Sequence, residues 1–182
     1  MKSAFVIFAD GFEDVEAITP VDYLRRSGVS VTTVGLIVRT VVSAHQISII
    51  CDKDLSEVAG LPLPDLVVLP GGGRGSENLA ASEALRFLVT RMMKEQRLVG
   101  AICASPAVVL YPWGLLEGRS YTCYGSLGDH FTVKPSKSRL VVDLNLITAR
   151  AAGVAEEFSL ALVRALCGEK MATEVGDAIL AR

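Results

Sequence analysis

The chain has 182 residues, of which 51% are apolar and 21% charged, and its formal net charge is −2. A chain of this length can bury roughly 70% of its unfolded surface, so we expect one domain over residues 1–182. The apolar fraction excludes a disordered protein, and a near-neutral charge without a basic stripe argues against nucleic-acid binding. Four cysteines without a Cys-x-x-Cys pair, and only two histidines, predict a reduced, cytoplasmic protein without a metal site.

Two apolar stretches have to be distinguished from export or membrane segments. Residues 1–9 are too short for a signal peptide, lack a cleavage site and are typical of a strand. The stretch Leu98–Leu116 carries no charge, but its glycines and prolines break any single helix. We therefore expect no membrane span, and we interpret the second stretch as a buried strand, a sharp turn and a short helix.

Short apolar runs alternate with helical patterns along the first part of the chain. Phe5–Phe8 predicts a strand, followed by a helix with Pro20 in its first turn and Gly28 just past its end. Residues 29–34 alternate as a half-buried strand does, and the β-branched section Thr40–Ile50 predicts a hairpin or an edge extension.

The later part of the chain continues this alternation. The predicted elements are fully apolar strands at Leu66–Leu69 and Leu98–Ile102, a helix over residues 78–95, antiparallel strands at Thr132–Val133 and Leu140–Val142, and a helix with Phe158 and Leu162 on its apolar face that ends before Gly168. Strands that are apolar on both faces and alternate with helices indicate a parallel sheet covered on each side. We predict an α/β fold, a three-layer α/β/α sandwich with a flavodoxin-like, mostly parallel sheet. Ligands of such sheets bind beyond the carboxyl ends of the strands.

The most informative strand end is that of Leu98–Ile102, which runs directly into Cys103. Small residues follow, as in a nucleophile elbow with cysteine in place of serine, where a tight turn lifts the side chain above the sheet. The N–H of Ala104 would point into the same space. A helix N-terminus there would lower the pKa of the thiol from about 8.5 to roughly 3.5–7.5. The alternative is a Cys103 that is only a small buried apolar residue.

Two other strand ends carry candidate groups. Three glycines, Gly71–Gly73, follow Leu66–Leu69 and can present N–H donors to an oxyanion, although a simple strand-to-helix turn also uses glycine. Four acidic residues between Asp10 and Glu16 follow the first strand and can form a solvated turn with helix-start acids. Glu16, which precedes an apolar stretch, could instead point inward and exchange a proton with Cys103. Burial would raise its pKa and the helix end would lower it.

Six motifs occur in order along nearly the whole chain: Gly11–Glu16, Val21–Gly28, Leu69–Gly72, Ala101–Pro106, Gly114–Gly118 and Glu156–Ser159. Together they resemble the ThiJ/PfpI superfamily, specifically the DJ-one branch that contains the parkinsonism-associated deglycase. The resemblance implies that Cys103 is a reactive, oxidisable nucleophile and that Glu16 is the acid hydrogen-bonded to it. It also implies that Gly72 and Ala104 are backbone oxyanion donors, that no cofactor is needed and that the protein is a homodimer.

The sequence departs from the family pattern at two places. Many members have a histidine near the nucleophile in a Thr-His-Pro context, and here Cys123 occupies that place. Cys123 could tune Cys103 or form a disulfide with it, and His130, seven residues later, is either a substitute base or a surface-loop histidine. The family turn Arg-Gly-Pro-Gly-Thr appears as Arg150–Val154, and the loss of a glycine and the proline alters the loop that carries Arg150, a candidate ligand residue.

The resemblance leads to three functional hypotheses. The first is an enzyme of glyoxalase III or deglycase type, in which Cys103 attacks the aldehyde of a small α-oxoaldehyde or glycated substrate and Glu16 moves a proton between adjacent carbons. The second is a non-enzymatic redox sensor or chaperone in oxidative stress, using the same cysteine at the sulfinic acid stage. The third is a cysteine hydrolase or amidotransferase, which needs a positioned histidine, and only His45 and His130 are available.

Overall fold

The computed structural model describes residues 1–181. Strands and helices alternate along this part of the chain. The strands are β1 (Ser3–Phe8), β2 (Ser30–Gly35), β3 (Thr40–Val42), β4 (Ser48–Ile50), β5 (Lys53–Asp54), β6 (Leu66–Leu69), β7 (Leu98–Ile102), β8 (Leu140–Asp143) and β9 (Leu146–Ala149). The helices are α1 (Asp14–Arg26), α2 (Leu55–Val58), α3 (Gly73–Ala80), α4 (Glu83–Lys94), α5 (Ala155–Cys167) and α6 (Glu169–Ala178), with a π-helical turn at Pro106–Leu110 and a 3-10 turn at Ala152–Val154.

Seven strands form one sheet in the order β5-β2-β1-β6-β7-β9-β8. All neighbours in this sheet are parallel except β8, which runs antiparallel to β9. This arrangement confirms the predicted flavodoxin-like α/β sandwich. The strands β1, β6 and β7 are adjacent at the centre of the sheet, so the three strand ends that carry the candidate residues meet at one edge.

The core lies on both faces of the sheet. Leu66 and Val68 of β6 pack with residues of α1 and α5, whereas Val67 and Leu69 pack with residues of α3 and α4. All four side chains are fully buried. Burial of each such side chain contributes about 1.5–3 kcal/mol to stability, which explains why the central strands are apolar at every position.

The structure differs from the predicted elements in the first helix. The helix α1 begins at Asp14, and Pro20 lies in its interior rather than in its first turn. Proline has no N–H, so it cannot donate the helical hydrogen bond to the carbonyl of Glu16. The helix nevertheless continues to Arg26, and Gly28, at φ +78°, lies just past its end as predicted.

The predicted helix over residues 78–95 is in fact two helices. The helix α3 ends at Ala80, and α4 starts after Ser82, whose hydroxyl accepts a hydrogen bond from the N–H of Leu85 at 3.2 Å. A serine N-cap of this kind restarts a helix by satisfying an N–H that has no partner within the helix. The apolar spacing on which the prediction depended is still buried, since Leu79 and Leu85 share one core.

The predicted strand at Thr132–Val133 is also wrong, because these residues form bends. The hydroxyl of Tyr121 donates to the Val133 carbonyl at 2.7 Å. Pro135 follows and has no N–H to donate, so this segment does not pair with a strand of the sheet. The strand β8 pairs instead with β9 through a tight turn in which Leu144 has φ +52°.

The predicted hairpin at Thr40–Ile50 is confirmed. The strands β3 and β4 pair with each other in a separate two-stranded sheet rather than extending the main one. The apolar stretch Leu98–Leu116 contains β7, a sharp turn and the π-helical turn. Within residues 1–181, no helix combines the length and the apolar character needed to cross a membrane.

Candidate active site

Cys103 lies at the turn that ends β7. Its φ is +64°, a left-handed conformation that costs a non-glycine residue about 1–3 kcal/mol and that surrounding contacts must hold. Those contacts are present, because the N–H of Cys103 donates to the Ala149 carbonyl at 2.9 Å and its carbonyl accepts from the N–H of Tyr124 at 2.8 Å. The turn thus has the geometry expected of a nucleophile elbow.

Two buried serines fix this elbow to the neighbouring strand end. The hydroxyl of Ser105 donates to the Pro70 carbonyl at 2.5 Å, and it lies 3.2 Å from the hydroxyl of Ser76 in α3. Both serines are fully buried. The ends of β6 and β7 are therefore held together by side-chain bonds in addition to the sheet ladder.

Glu16, in the first turn of α1, points inward, and its side chain is 0% exposed. The N–H of Gly71 donates to its Oε2 atom at 2.9 Å. The Oε1 atom is buried and has no hydrogen-bond partner among the described residues. A buried carboxylate charge with an unpaired oxygen is costly, and a proton held on this carboxyl removes the charge.

Gly71 lies between Glu16 and Cys103. A Cβ atom at position 71 would lie 2.4 Å from the Oε2 atom of Glu16 and 2.5 Å from the Cβ atom of Cys103. Those two atoms are therefore no more than about 5 Å apart, and only a residue without a side chain fits between them. The structure thus brings Glu16 and Cys103 together, with Gly71 as a requirement that the sequence analysis did not single out.

Burial dominates the electrostatics of this pair. It raises the pKa of Glu16 to about 7, although hydrogen bonds with the Cys103 thiol and the Gly71 N–H act in the opposite direction. Burial, followed by the charge of Glu16, raises the pKa of the Cys103 thiol to about 12. The predicted lowering of the thiol pKa is therefore wrong, because burial, the largest cause, outweighs the N–H groups at the turn. When Glu16 carries the proton, its charge no longer opposes the thiolate.

Two backbone N–H groups converge on the sulfur of Cys103. They belong to Gly72 and Ala104, and both lower the pKa of the thiol, though less than burial raises it. Gly72 has φ +90°, and a Cβ atom there would lie 2.2 Å from the carbonyl oxygen of Gly11. Two donors directed at one atom are the arrangement that can stabilise an oxyanion formed beside it.

Cys103 opens into a cavity of about 540 Å³. The cavity is lined by Glu13, Glu16, His45, Gly72, Gly73, Cys103, Ala104, Tyr124, Leu127 and residues 151–153. This volume is sufficient for a small molecule. Ala151, Ala152 and Gly153 of the altered Arg150–Val154 turn line the cavity with short side chains.

His45 also lines the cavity, although the sequence analysis considered it only as a histidine for a cysteine hydrolase. It lies in the turn between β3 and β4, and its Nδ1 atom is 2.6 Å from an Oδ atom of Asp14. The hydrogen bond with Asp14 and the charge of Glu13 raise the pKa of His45. Within residues 1–181, these three side chains also bring their potential metal-ligand atoms within 4.8 Å of one another.

Three residues named as possible modulators do not line the cavity. Cys123 is buried and, like the other three cysteines, is a free thiol, so it forms no disulfide with Cys103. His130 is exposed and its ring packs edge-on against Phe131, with centroids 4.6 Å apart. Arg150 lines a neighbouring cavity of about 350 Å³ and donates to the carbonyl of Lys137 at 3.4 Å.

Comparisons with known proteins show which family the chain resembles. The profile of the DJ-1/PfpI family matches residues 2–165. Protein DJ-1 homolog B of Arabidopsis thaliana is 35% identical over 100% of this chain, which spans only 42% of that relative's length. The glutathione-independent glyoxalase DJR-1.2 of Caenorhabditis elegans is 32% identical over 92% of this chain and 90% of that relative. The solved C103A mutant of a Salmonella typhimurium DJ-1 superfamily protein has a TM-score of 0.95 and 38% identity, with 100% of each chain covered.

Proposed function

Because this chain belongs to the DJ-1/PfpI family, the family of its ThiJ/PfpI motifs, we propose that it is a cofactor-independent enzyme that converts small α-oxoaldehydes to hydroxy acids. This activity is of glyoxalase III or deglycase type and would serve defence against carbonyl stress. The observation that carries the proposal is the fully buried carboxyl of Glu16 beside Cys103, with two N–H donors on the same sulfur. The glyoxalase name of the Caenorhabditis elegans relative supports it.

The first step is attack of the Cys103 sulfur on the aldehyde carbon. The thiol proton passes to the Glu16 carboxylate, and a C–S bond forms as the carbonyl oxygen becomes an oxyanion. The N–H groups of Gly72 and Ala104 stabilise this oxyanion, and removal of one such donor costs about 2.7–4 kcal/mol in known enzymes. Proton return to the oxygen gives a hemithioacetal.

The second step is an internal oxidation and reduction that needs no external electron acceptor. Glu16 removes the proton from the carbon bonded to sulfur and delivers it to the adjacent carbon. The hydroxyl proton on the first carbon passes to the oxygen of the second, which gives a hydroxyacyl thioester on Cys103. A group that gives and takes protons works best when its pKa is near the working pH, and the pKa of Glu16, about 7, meets this condition. Water then cleaves the thioester.

A turnover assay with methylglyoxal and glyoxal tests this proposal. We expect wild type to form lactate and glycolate, Cys103→Ala to form neither, and Glu16→Gln to lose at least about 100-fold in kcat because it cannot move the proton. Cys167→Ala, at a half-buried cysteine near Ser27, should turn over at the wild-type rate. Lactate formation by Cys103→Ala would contradict the mechanism.

A redox sensor is the second candidate, and the unpartnered Oε1 atom of Glu16 favours it. A protonated Glu16 could donate a hydrogen bond to an oxygen added to the Cys103 sulfur by peroxide, which would stabilise the sulfinate. Mass spectrometry after mild peroxide treatment should then show oxygen on Cys103 before the other three cysteines. Earlier oxidation of any other cysteine would exclude this role.

The proposed partner, besides the aldehyde, is a second copy of the chain. The helix α1 buries Glu16 but leaves Val15 and Ile18 46% and 45% exposed. Residues three apart lie on the same side of a helix, so these two form an apolar pair on the surface. The proposed location is the cytoplasm, in keeping with four free cysteines.

A further inference from the structure

The hairpin of β3 and β4 holds His45 above the start of α1. The N–H of Gly11 donates to the Val42 carbonyl, and the N–H of Ala44 donates to the Phe12 carbonyl, each at 2.8 Å. Within the turn, the hydroxyl of Ser43 accepts hydrogen bonds from two backbone N–H groups, including that of His45 at 3.2 Å. The backbone of His45 is therefore fixed to the same loop that leads to Glu16.

The imidazole of His45 is oriented by Asp14. The Nδ1 atom lies 2.6 Å from the Oδ2 atom of Asp14 and 3.8 Å from an Oε atom of Glu13. Among residues 1–181, no side chain or backbone group forms a hydrogen bond with Nε2. A carboxylate on Nδ1 fixes the tautomer and leaves Nε2 as the reacting nitrogen, which is the arrangement of acid–base histidines.

The proposed reaction needs a second proton carrier. Conversion of methylglyoxal and water to lactate releases one proton to the solvent at neutral pH. Glu16 can move a proton between substrate carbons, but it is 0% exposed and has no direct contact with bulk water. The side chain of His45 is 65% exposed and lines the same cavity, so it can exchange protons with the solvent.

We propose, on the basis of the proposed function, that His45 is a further catalytic residue, the general base that Asp14 holds for the water that cleaves the thioester on Cys103. The water oxygen bonds to the thioester carbon, one water proton moves to Nε2, and the C–S bond breaks with its electron pair on sulfur, which takes up the other water proton and becomes the thiol again. The resulting imidazolium, stabilised by Asp14, releases its proton to the solvent. Glu16 serves the first half of the cycle and His45 the second.

The charged groups facing His45 all have one sign. Glu13 and Asp14 face it from the start of α1, and Glu16 lies across the cavity. The hairpin itself, residues 40–50, contains no Asp, Glu, Lys or Arg. Asp14, through its hydrogen bond, and the charge of Glu13 stabilise the imidazolium and raise the pKa of His45.

Three variants test the proposal with methylglyoxal. His45→Gln can still donate a hydrogen bond to Asp14 but cannot carry the proton, so we expect kcat to fall at least about 100-fold. The thioester should then accumulate on Cys103 and be trapped by hydroxylamine as a hydroxamate. Added imidazole should restore turnover to His45→Ala. His130→Gln, at the exposed histidine outside the cavity, is the matched control and should behave as wild type.

The role of Asp14 has its own readout. Because the hydrogen bond with Asp14 is the largest cause that raises the pKa of His45, Asp14→Asn should lower that pKa in an NMR titration. The His130→Gln variant identifies which of the two imidazole signals belongs to His45. An unchanged His45 titration would overturn the positioning by Asp14.

The outcomes separate this inference from the proposed function. If wild type forms lactate and His45→Gln forms it at the same rate, or if no hydroxamate appears, the His45 proposal is wrong and the Cys103 mechanism stands. If wild type forms no hydroxy acid from either aldehyde, the proposed function fails, and the role of His45 fails with it.

Discussion

At the residue scale, the site depends on a position with no side chain. Gly71 donates its N–H to Glu16 and lets the carboxyl approach Cys103, because any Cβ atom there would lie within 2.5 Å of both side chains. Gly73, two positions later, has open space where its Cβ atom would be. Glycines in one motif thus have different functions, and only the contacts of each distinguish them.

This difference gives a prediction for two alanine variants. Gly71→Ala should separate the Glu16 carboxyl from Cys103 and lower kcat/KM for methylglyoxal by about 100-fold, the effect of a displacement near 1 Å. Gly60→Ala, at a glycine outside the cavity, should keep wild-type turnover, because nothing lies within 4 Å of the added methyl group. Equal activity of the two variants would show that the close approach at position 71 has no catalytic role.

At the element scale, α1 has two functions on opposite sides. Its first turn carries Glu16 into the core beside Cys103, while Val15 and Ile18 face outward. The hairpin of β3 and β4 adds His45 over the same helix start. An element that both supplies a buried acid and exposes two neighbouring apolar side chains offers a surface that a second copy of the chain could cover.

We therefore predict that α1 contributes to self-association. Wild type should sediment as a dimer, and a Val15→Glu/Ile18→Glu variant should sediment as a monomer, because charged side chains would have to be buried in the interface. Phe87→Glu, at a 67% exposed apolar residue of α4, is the control and should remain dimeric. Dissociation by the control alone, or a monomeric wild type, would exclude the α1 interface.

At the scale of the whole molecule, the buried acid makes stability depend on pH. The pKa of Glu16 is raised to about 7 in the folded protein from an ordinary value of 4.5. Between these two values the folded state retains a proton that the unfolded state has lost. The free energy of unfolding therefore falls as pH rises from about 4.5 to about 7, by about 3 kcal/mol, and this loss is complete above pH 7.

Urea unfolding at pH 5 and pH 8 measures this effect. Glu16→Gln does not titrate, so its free energy of unfolding should fall less over this range than that of wild type. The surface variant Glu83→Gln, at a side chain that is 87% exposed, should follow the wild-type pH dependence. If the free energy of unfolding changed by the same amount between pH 5 and pH 8 in wild type and in Glu16→Gln, burial would not raise the pKa of Glu16.

The local signals in the sequence were sufficient for the parallel sheet, the hairpin and the turn at Cys103. The apolar spacing failed at Ser82, where a local side-chain cap divides one helical pattern into two helices. The local signals also failed at Thr132–Val133, where the Tyr121 hydroxyl donates a hydrogen bond to the Val133 carbonyl. Glu16 and Cys103 were paired through the family motifs rather than through spacing, because 87 positions separate them.

The order of apolar strands and helices was enough to determine the sheet, because burial on both faces demands side chains that are apolar at every strand position. It also predicted that the candidate groups at the strand ends meet at one edge of the sheet. Only the folded chain decided that Gly71 lies between the acid and the thiol, and that the hairpin brings His45 to Asp14. Such contacts join segments far apart in sequence, so no local pattern encodes their distances, whereas periodicity is a local property that each segment carries alone.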